Sequence, residues 1–142
     1  MKYLLDTNVV SEARKLPERR DPQFHDWISS VSSDDAAISV ITLGEVLAGV
    51  IRLESRDADQ GARLRRWYTN NLLAKFKERT LPVSSAVVEI EAGLQASKPR
   101  PKADALIAAT ALHHHLVLVT RNVKDFDGTG VALLNPWTSQ SG

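Results

Sequence analysis

Lys2-Tyr3-Leu4-Leu5-Asp6-Thr7-Asn8 is the stretch that decides how the 142-residue chain is read. Lys2 to Leu5 is a short, mostly apolar run without alternation, the pattern of a strand buried on both faces, as in a parallel sheet. Asp6, Thr7 and Asn8 follow at once. A carboxylate at the carboxyl end of such a strand stands where open α/β sheets place their ligand crevices. It also carries a desolvation cost that a partner must offset, and a metal ion is one such partner. The competing explanation is structural: Asp6 or Asn8 caps the next short helix through a backbone N–H.

Outward from that stretch, strands and helices alternate. Residues 9–20 read as a short helix and a charged loop, and 22–31 as a helix with Phe24, Trp27, Ile28 and Val31 at helical spacing. A turn at 32–35 leads to a strand over 36–41. Thr42 opens a helix to about residue 54, and a longer one covers 58–77 with Leu64, Trp67, Tyr68, Leu72 and Phe76 as its stripe. A third strand spans 79–83, and Ser84 or Ser85 caps a helix to about residue 94. The Pro99-Arg100-Pro101 loop follows, then a small-residue helix over 103–115, the clearest strand at 116–120 and a last edge strand at 131–134. This order implies a parallel α/β sheet with right-handed crossovers and helices on both faces, in one domain over residues 1–142.

Composition adds limits. The chain has no cysteine, which excludes disulfides and thiolate metal sites and agrees with a cytoplasmic home. It shows no secretory leader pattern and no apolar run approaching the roughly 20 residues that span a bilayer, so no membrane association is expected. The net charge of +1 hides an asymmetry: residues 1–50 carry 5 Lys/Arg against 8 Asp/Glu, and 51–100 carry 10 against 6. Arg63, Arg65, Arg66, Lys75, Lys77 and Arg79 make the middle basic, which suits either a polyanion or a solvated helix face.

Four acids stand at element edges: Asp6, Glu45, Asp104 and Asp125. Each has a local explanation. Thr42-Leu43-Gly44-Glu45 is a capping box, Asp104 lies in the first turn of its helix, and Asp125 suits an Asx turn. Together they say more. Asp104 shares a helical face with Ile107, Ala108 and Ala111, an unexpected place for a carboxylate unless it borders a site. If the strands before Asp6 and Asp125 are near neighbours, their carboxyl-end loops converge. Carboxylates in one cleft repel one another unless a cation is present, and a hard divalent ion, Mg²⁺ or Mn²⁺, suits an all-oxygen site. Such a site activates water and stabilises the leaving oxygen in phosphodiester cleavage.

At this point the motifs resemble those of a known family. Leu4-Leu5-Asp6-Thr7-Asn8, Ile41-Thr42-Leu43-Gly44-Glu45-Val46, the run from Ala103-Asp104 to Ala111, and Val119-Thr120-Arg121-Asn122 with Asp125-Phe126 are similar, in order and spacing, to the four motifs of PIN-domain ribonucleases. Leu134-Asn135-Pro136-Trp137 is similar to the FitB branch of the VapC toxins. The resemblance implies a PIN-like three-layer sandwich with a central parallel β-sheet flanked by helices. It implies the toxin of a type II toxin–antitoxin system: a Mg²⁺-dependent endoribonuclease that hydrolyses RNA phosphodiester bonds, neutralised by a cognate antitoxin and commonly homodimeric, of higher order with the antitoxin. It implies Asp6, Glu45, Asp104 and Asp125 as the catalytic acids, with Asp6 and Asp104 as the direct metal ligands and Glu45 holding a water of the metal. Thr7, Asn8, Thr120 and Asn122 would be polar supports. Some relatives carry Asp where this chain has Asn122 and others an acid three residues later, which Asp125 matches.

Remaining features have simpler uses. Arg121 would either neutralise a substrate phosphate or make a surface salt bridge. His113, His114 and His115 are consecutive, so on a helix they cannot chelate one ion together. Trp27 and Trp67 are expected in the core or an interface, with Trp137 as a C-terminal anchor. The apolar faces of the helices at 43–54 and 58–77 suit a core or an antitoxin groove equally. Two rivals are a phosphoacceptor receiver domain, which would want paired acids after the first strand, and a non-catalytic α/β protein- or nucleic-acid-binding module. The second gains only if the four carboxylates face apart.

Overall fold

The computed structural model of the chain describes residues 1–138; the last four positions of the expected domain lie outside the described residues. Five short strands form one parallel sheet: β1 (Tyr3–Leu5), β2 (Ala36–Ser39), β3 (Thr80–Leu81), β4 (Val117–Val119) and β5 (Leu133–Leu134), in the spatial order β3-β2-β1-β4-β5. Tyr3 of β1 pairs with Ala36 on one side and Val117 on the other, and Leu5 stands opposite Val119. The chain builds outward from β1 through β2 to β3, then returns to the far side of β1 for β4 and β5. The direction of winding therefore reverses between β1 and β4, and a crevice opens at their carboxyl ends.

Helices α1 (Thr7–Arg14), α2 (Pro22–Ser30), α3 (Val40–Arg56), α4 (Ala58–Trp67), α5 (Ser85–Ser97) and α6 (Lys102–His113) cover both faces. Strand side chains alternate in direction, and the core divides accordingly. Leu5, Ile38 and Val119 pack with Val9, Val10, Phe24 and Val50 on one side. Leu4, Ala37 and Leu118 pack with Ile107, Ala108 and Ala111 of α6 on the other. Helix α5 closes over α6 through Val87, Leu106 and Ala109. Every residue of α6 from Ala105 to Ala111 is buried, so this stretch has no solvent face and its small residues permit close approach to sheet and neighbour alike. The three-layer sandwich expected from the sequence is the observed architecture.

Three local expectations are corrected. Helix α3 begins at Val40, not Thr42: Ser39 ends β2 in extended conformation and its hydroxyl accepts from the Ile41 N–H at 3.0 Å. The capping box over Thr42 and Glu45 therefore does not form, and Thr42 lies fully buried in the first turn. The β-branched run Val40-Ile41-Thr42 favours a strand locally, but the Ser39 cap and the packing of α3 against the sheet prevail. The helix expected over 58–77 changes form, α4 giving way to a π turn at Tyr68–Leu73 that sets both Tyr68 and Leu72 into the core. Finally, α6 stops at His113, and His115 leaves it with φ +56°, so the three histidines do not share one helix.

The tryptophans fasten the α1–α4 side as expected. Trp27 meets Tyr3 edge-on at 5.4 Å, and Trp137 lies against Phe24 at 4.8 Å. Gly61 marks the tightest crossing. A Cβ there would stand 2.5 Å from the Glu54 Cα, which is backbone and cannot yield cheaply. Gly61→Ala should therefore destabilise the protein by about 1–3 kcal/mol in urea unfolding, despite alanine's better helix propensity. Gly93→Ala on α5, where a Cβ meets nothing within 4 Å, should stabilise it by about 0.5–1 kcal/mol.

Candidate active site

Asp6 is the residue on which the site turns. It follows β1 directly and caps α1, and it is 7% exposed. Its Oδ1 accepts from the Thr7 N–H at 2.8 Å. Its Oδ2 accepts from the Thr120 hydroxyl at 2.8 Å and from Asn8 Nδ2 at 3.3 Å. Asp6 thus caps α1, as the structural explanation held, while its second oxygen is turned toward Thr120 and Asn8. A carboxylate offers about four lone-pair positions, so three donors leave it able to accept one more partner.

The supporting residues form a continuous lattice. Thr120, at the end of β4 and fully buried, donates to Asp6 and accepts from Asn8 Nδ2 at 3.2 Å and from the Asn122 N–H at 3.1 Å. Asn8 Oδ1 accepts from the Arg121 N–H at 3.1 Å, tying the loop after β4 to α1. Thr7 donates a short hydrogen bond from its hydroxyl to Glu45 Oε1, which joins α1 to α3. Glu45 is exposed, freed from the capping role that the sequence suggested. Asn122 enters this lattice through its backbone N–H. The Arg121 guanidinium lies over the Trp137 ring at 5.4 Å, a third use that neither of its two expected roles described.

Asp104 stands in the first turn of α6, partly exposed, and Asp125 in the first turn of a short 3₁₀ segment, Val123–Phe126. The four acids act on one another. Burial is the largest influence on Asp6 and pushes its carboxyl above the usual range; the hydrogen bonds from Thr120 and Thr7 pull it down, and the charges of Glu45 and Asp125 push it up. Burial again leads at Asp104, which is raised further by Asp6, Asp125 and Glu45. Negative charge from four separate chain segments is therefore gathered at the winding reversal, with no cationic side chain among the causes of either shift. Asp125 belongs to this group through its charge.

This donor set fits a hard divalent cation: all-oxygen, net negative and partly desolvated. Among the described residues no three His, Asp or Glu side chains close into a ready-made cage. An open site held by one or two carboxylates, with other ligands from water and a phosphate substrate, is the usual arrangement for Mg²⁺.

The sequence did not single out the cations that share a groove with this site. Thr7 and Glu45 also line a groove between α1, α3 and α4, together with Arg14, Arg52, Arg56 and Trp67. The signal was present: Glu45, Gly49, Arg52 and Arg56 fall on one helical face. Two of the basic residues proposed from the sequence are engaged elsewhere. Arg65 is paired with Glu54 at 2.6 Å, and Arg79 donates to the carbonyls of Ala36 and Lys75, both at 2.9 Å. A second groove lies between α1, α2 and α4, with Val10, Ala13, Ile28 and Phe76 on its walls beside the cations Arg20 and Lys75.

Comparison with known proteins gives a consistent result. The PIN-domain family model matches residues 3–130. The chain is similar to Toxin FitB of Neisseria gonorrhoeae, 34% identical over 140 residues, covering 94% of this chain and 97% of that one. It is also similar to VapC ribonuclease Y4jK of Sinorhizobium fredii, 30% identical over 143 residues, covering 94% and 96%. Among solved structures, FitAcB from Neisseria gonorrhoeae superposes with a TM-score of 0.86 at 31% identity, covering 96% of this chain and 99% of that one. A toxin–antitoxin complex from Klebsiella pneumoniae superposes at 0.66 with 28% identity, covering 95% and 98%. With the family match running from β1 past the last of the four acids, and relatives similar over nearly their full length, this chain belongs to the PIN-domain family.

Proposed function

We propose that the chain is the toxin of a type II toxin–antitoxin pair, a single PIN domain acting as a Mg²⁺-dependent endoribonuclease with Mn²⁺ able to substitute. The observation that supports this most is the mutual charge of Asp6, Glu45, Asp104 and Asp125 where β1 and β4 end. The relatives support the rest: one is named a ribonuclease, one a toxin, and a structural neighbour is a toxin–antitoxin complex. A neutralising protein antitoxin is accordingly the expected partner, with RNA as substrate and a homodimer as the basic assembly. The groove between α1, α2 and α4, with apolar walls flanked by Arg20 and Lys75, is a surface that suits an amphipathic antitoxin helix. Among the described residues no helix is long and apolar enough to cross a membrane.

In the proposed mechanism Asp6 and Asp104 would hold the cation. When bound, a divalent ion lowers the pKa of water and offsets the charge that builds on phosphate during in-line displacement. Asp6 is kept in place by Thr7, Asn8 and Thr120, so little reorganisation accompanies binding. Glu45, steadied by the Thr7 hydroxyl, accepts a proton from the attacking water. The water oxygen bonds to phosphorus, the bond to the departing sugar oxygen breaks, and that oxygen takes a proton from solvent. Asp125 adds negative charge that strengthens cation binding, with Asn122 beside it holding the loop through Thr120.

Incubation of purified protein with total cellular RNA and Mg²⁺ should yield discrete cleaved ends, absent with EDTA. Asp6→Asn and Asp104→Asn should each reduce cleavage by at least about a hundredfold, the scale on which removing one source of transition-state charge stabilisation acts. Cleavage retained by both variants would refute the assignment.

The raised carboxyl of Asp104 makes a second prediction. A carboxyl raised in the native state binds its proton more tightly there than in the unfolded chain. The ionised form is then disfavoured by folding, and stability falls as pH rises from the ordinary value of 3.8 through the elevated one. Without metal, Asp104→Asn should therefore melt higher than wild type at pH 7 and alike well below pH 3.8. Mg²⁺ should raise the wild-type melting temperature and leave the variant's nearly unchanged. A variant less stable than wild type at pH 7 would contradict this.

A further inference from the structure

The groove that begins at Thr7 and Glu45 has a volume of about 390 Å³, in the range of small-ligand sites. Its charge changes sign along its length. On α3, Glu45, Gly49, Arg52 and Arg56 are spaced i, i+4, i+7 and i+11 and make one stripe. At ~1.5 Å rise per residue, Arg52 lies about 10 Å and Arg56 about 16 Å along the helix from the acidic end. Among the described residues neither guanidinium has an ion-pair or hydrogen-bond partner. Like charges at i and i+4 destabilise a helix, so the pair is costly until an anion meets it. Across the groove the Arg14 guanidinium lies over the Trp67 ring at 5.8 Å. Gly49 keeps the middle of the stripe low. Its missing Cβ would touch only Arg52 Nη2, at 3.9 Å, so helix packing does not demand glycine there.

We propose that this groove holds single-stranded RNA flanking the scissile phosphate, with Arg52 and Arg56 on backbone phosphates and the Arg14–Trp67 pair as a stacking surface for an unpaired base. Guanidinium forks match phosphate oxygens, and sequence-tolerant single-strand binding combines a cationic track with aromatic faces. Continuity with Glu45 sets the direction in which the strand leaves the reacting bond. The proposal rests on the ribonuclease function for that direction alone, since affinity for RNA is measured separately from cleavage.

The test uses the full chain carrying Asp104→Asn, so that substrate is not consumed, and a short fluorescein-labelled single-stranded RNA of mixed sequence. Anisotropy titrations at several salt concentrations should show that R52A/R56A weakens binding by about tenfold or more. The slope of log affinity against log salt should fall by about 1.4, near 0.7 for each phosphate that is no longer neutralised. R52K/R56K should restore the salt slope but only part of the affinity, since an ammonium neutralises a phosphate as a point charge without the guanidinium fork, a split that a purely structural role would not predict. With Asp104 intact, R52A/R56A should raise KM about tenfold and leave kcat within about twofold, with a melting temperature no lower than the wild type's. Equal binding by R52A/R56A and its parent, or no RNA binding by the parent, overturns the proposal and leaves the groove to another occupant such as an acidic protein segment. Arginine-dependent binding with no cleavage by the wild type would sink the ribonuclease function and leave the groove standing. Cleavage by the wild type that R52A/R56A leaves unaltered would do the reverse.

Discussion

The Thr120 hydroxyl donates to Asp6 Oδ2 at 2.8 Å across 114 residues of sequence, and the remainder of the site depends on that bridge. It spans the carboxyl ends of the two central strands, where the winding of the sheet reverses. It exists because Leu5 pairs with Val119, which brings the next residue of each strand face to face. Through Asp6 the bridge reaches the Thr7 N–H and the cap of α1. Through Thr120 it reaches Asn8 and the backbone of the loop that carries Asp125. A carboxylate this buried stays available for a cation only because its donors are fixed in advance and leave one acceptor position open.

Two costs follow from that arrangement, and they have one kind of remedy. Burial first, and then the neighbouring acids, raise Asp6 and Asp104 and disfavour their ionised forms. Placing Arg52 and Arg56 a helical turn apart, without carboxylate partners among the described residues, sets cation against cation. A divalent ion relieves the first, and a polyanion crossing from one to the other relieves the second. Other charges are met within the chain. Buried Glu91 meets Lys102 at 2.9 Å and Glu54 meets Arg65 at 2.6 Å, both ordinary ion pairs that hold helix to helix. Mutually repelling acids thus meet in the crevice, and unpaired arginines line the groove that leads from it.

Much of the fold could be read from the chain because buried parallel strands leave a plain mark. Tyr3–Leu5 and Val117–Val119 lie within the apolar runs that suggested them, each shorter by a residue or two because the ends turn into caps and loops. Asp6 and Asp104 were legible for a related reason: one follows a strand directly and the other stands in the first turn of a helix. The start of α3 was not, since Val40-Ile41 favours extended structure and only the Ser39 cap, seen in three dimensions, turns it helical. That misplacement also gave Glu45 a false structural occupation. The enclosure of α6 was half visible, as its small residues hinted at close packing without showing that sheet and α5 cover it from both sides. The arginine stripe was hidden by counting charge along the middle of the chain. Which cations are free depends on ion pairs such as Arg65 with Glu54, and those are decided by tertiary contact.

The central claim is that Asp6 and Asp104 share one divalent cation in the crevice between β1 and β4. Crystals of the protein soaked in Mn²⁺ test it directly through anomalous scattering. The account predicts an anomalous peak between the Asp6 and Asp104 carboxylates, with an oxygen of each about 2.2 Å from the ion, the range of hard oxygen ligands. A peak only at other residues, or none at saturating Mn²⁺, would contradict it.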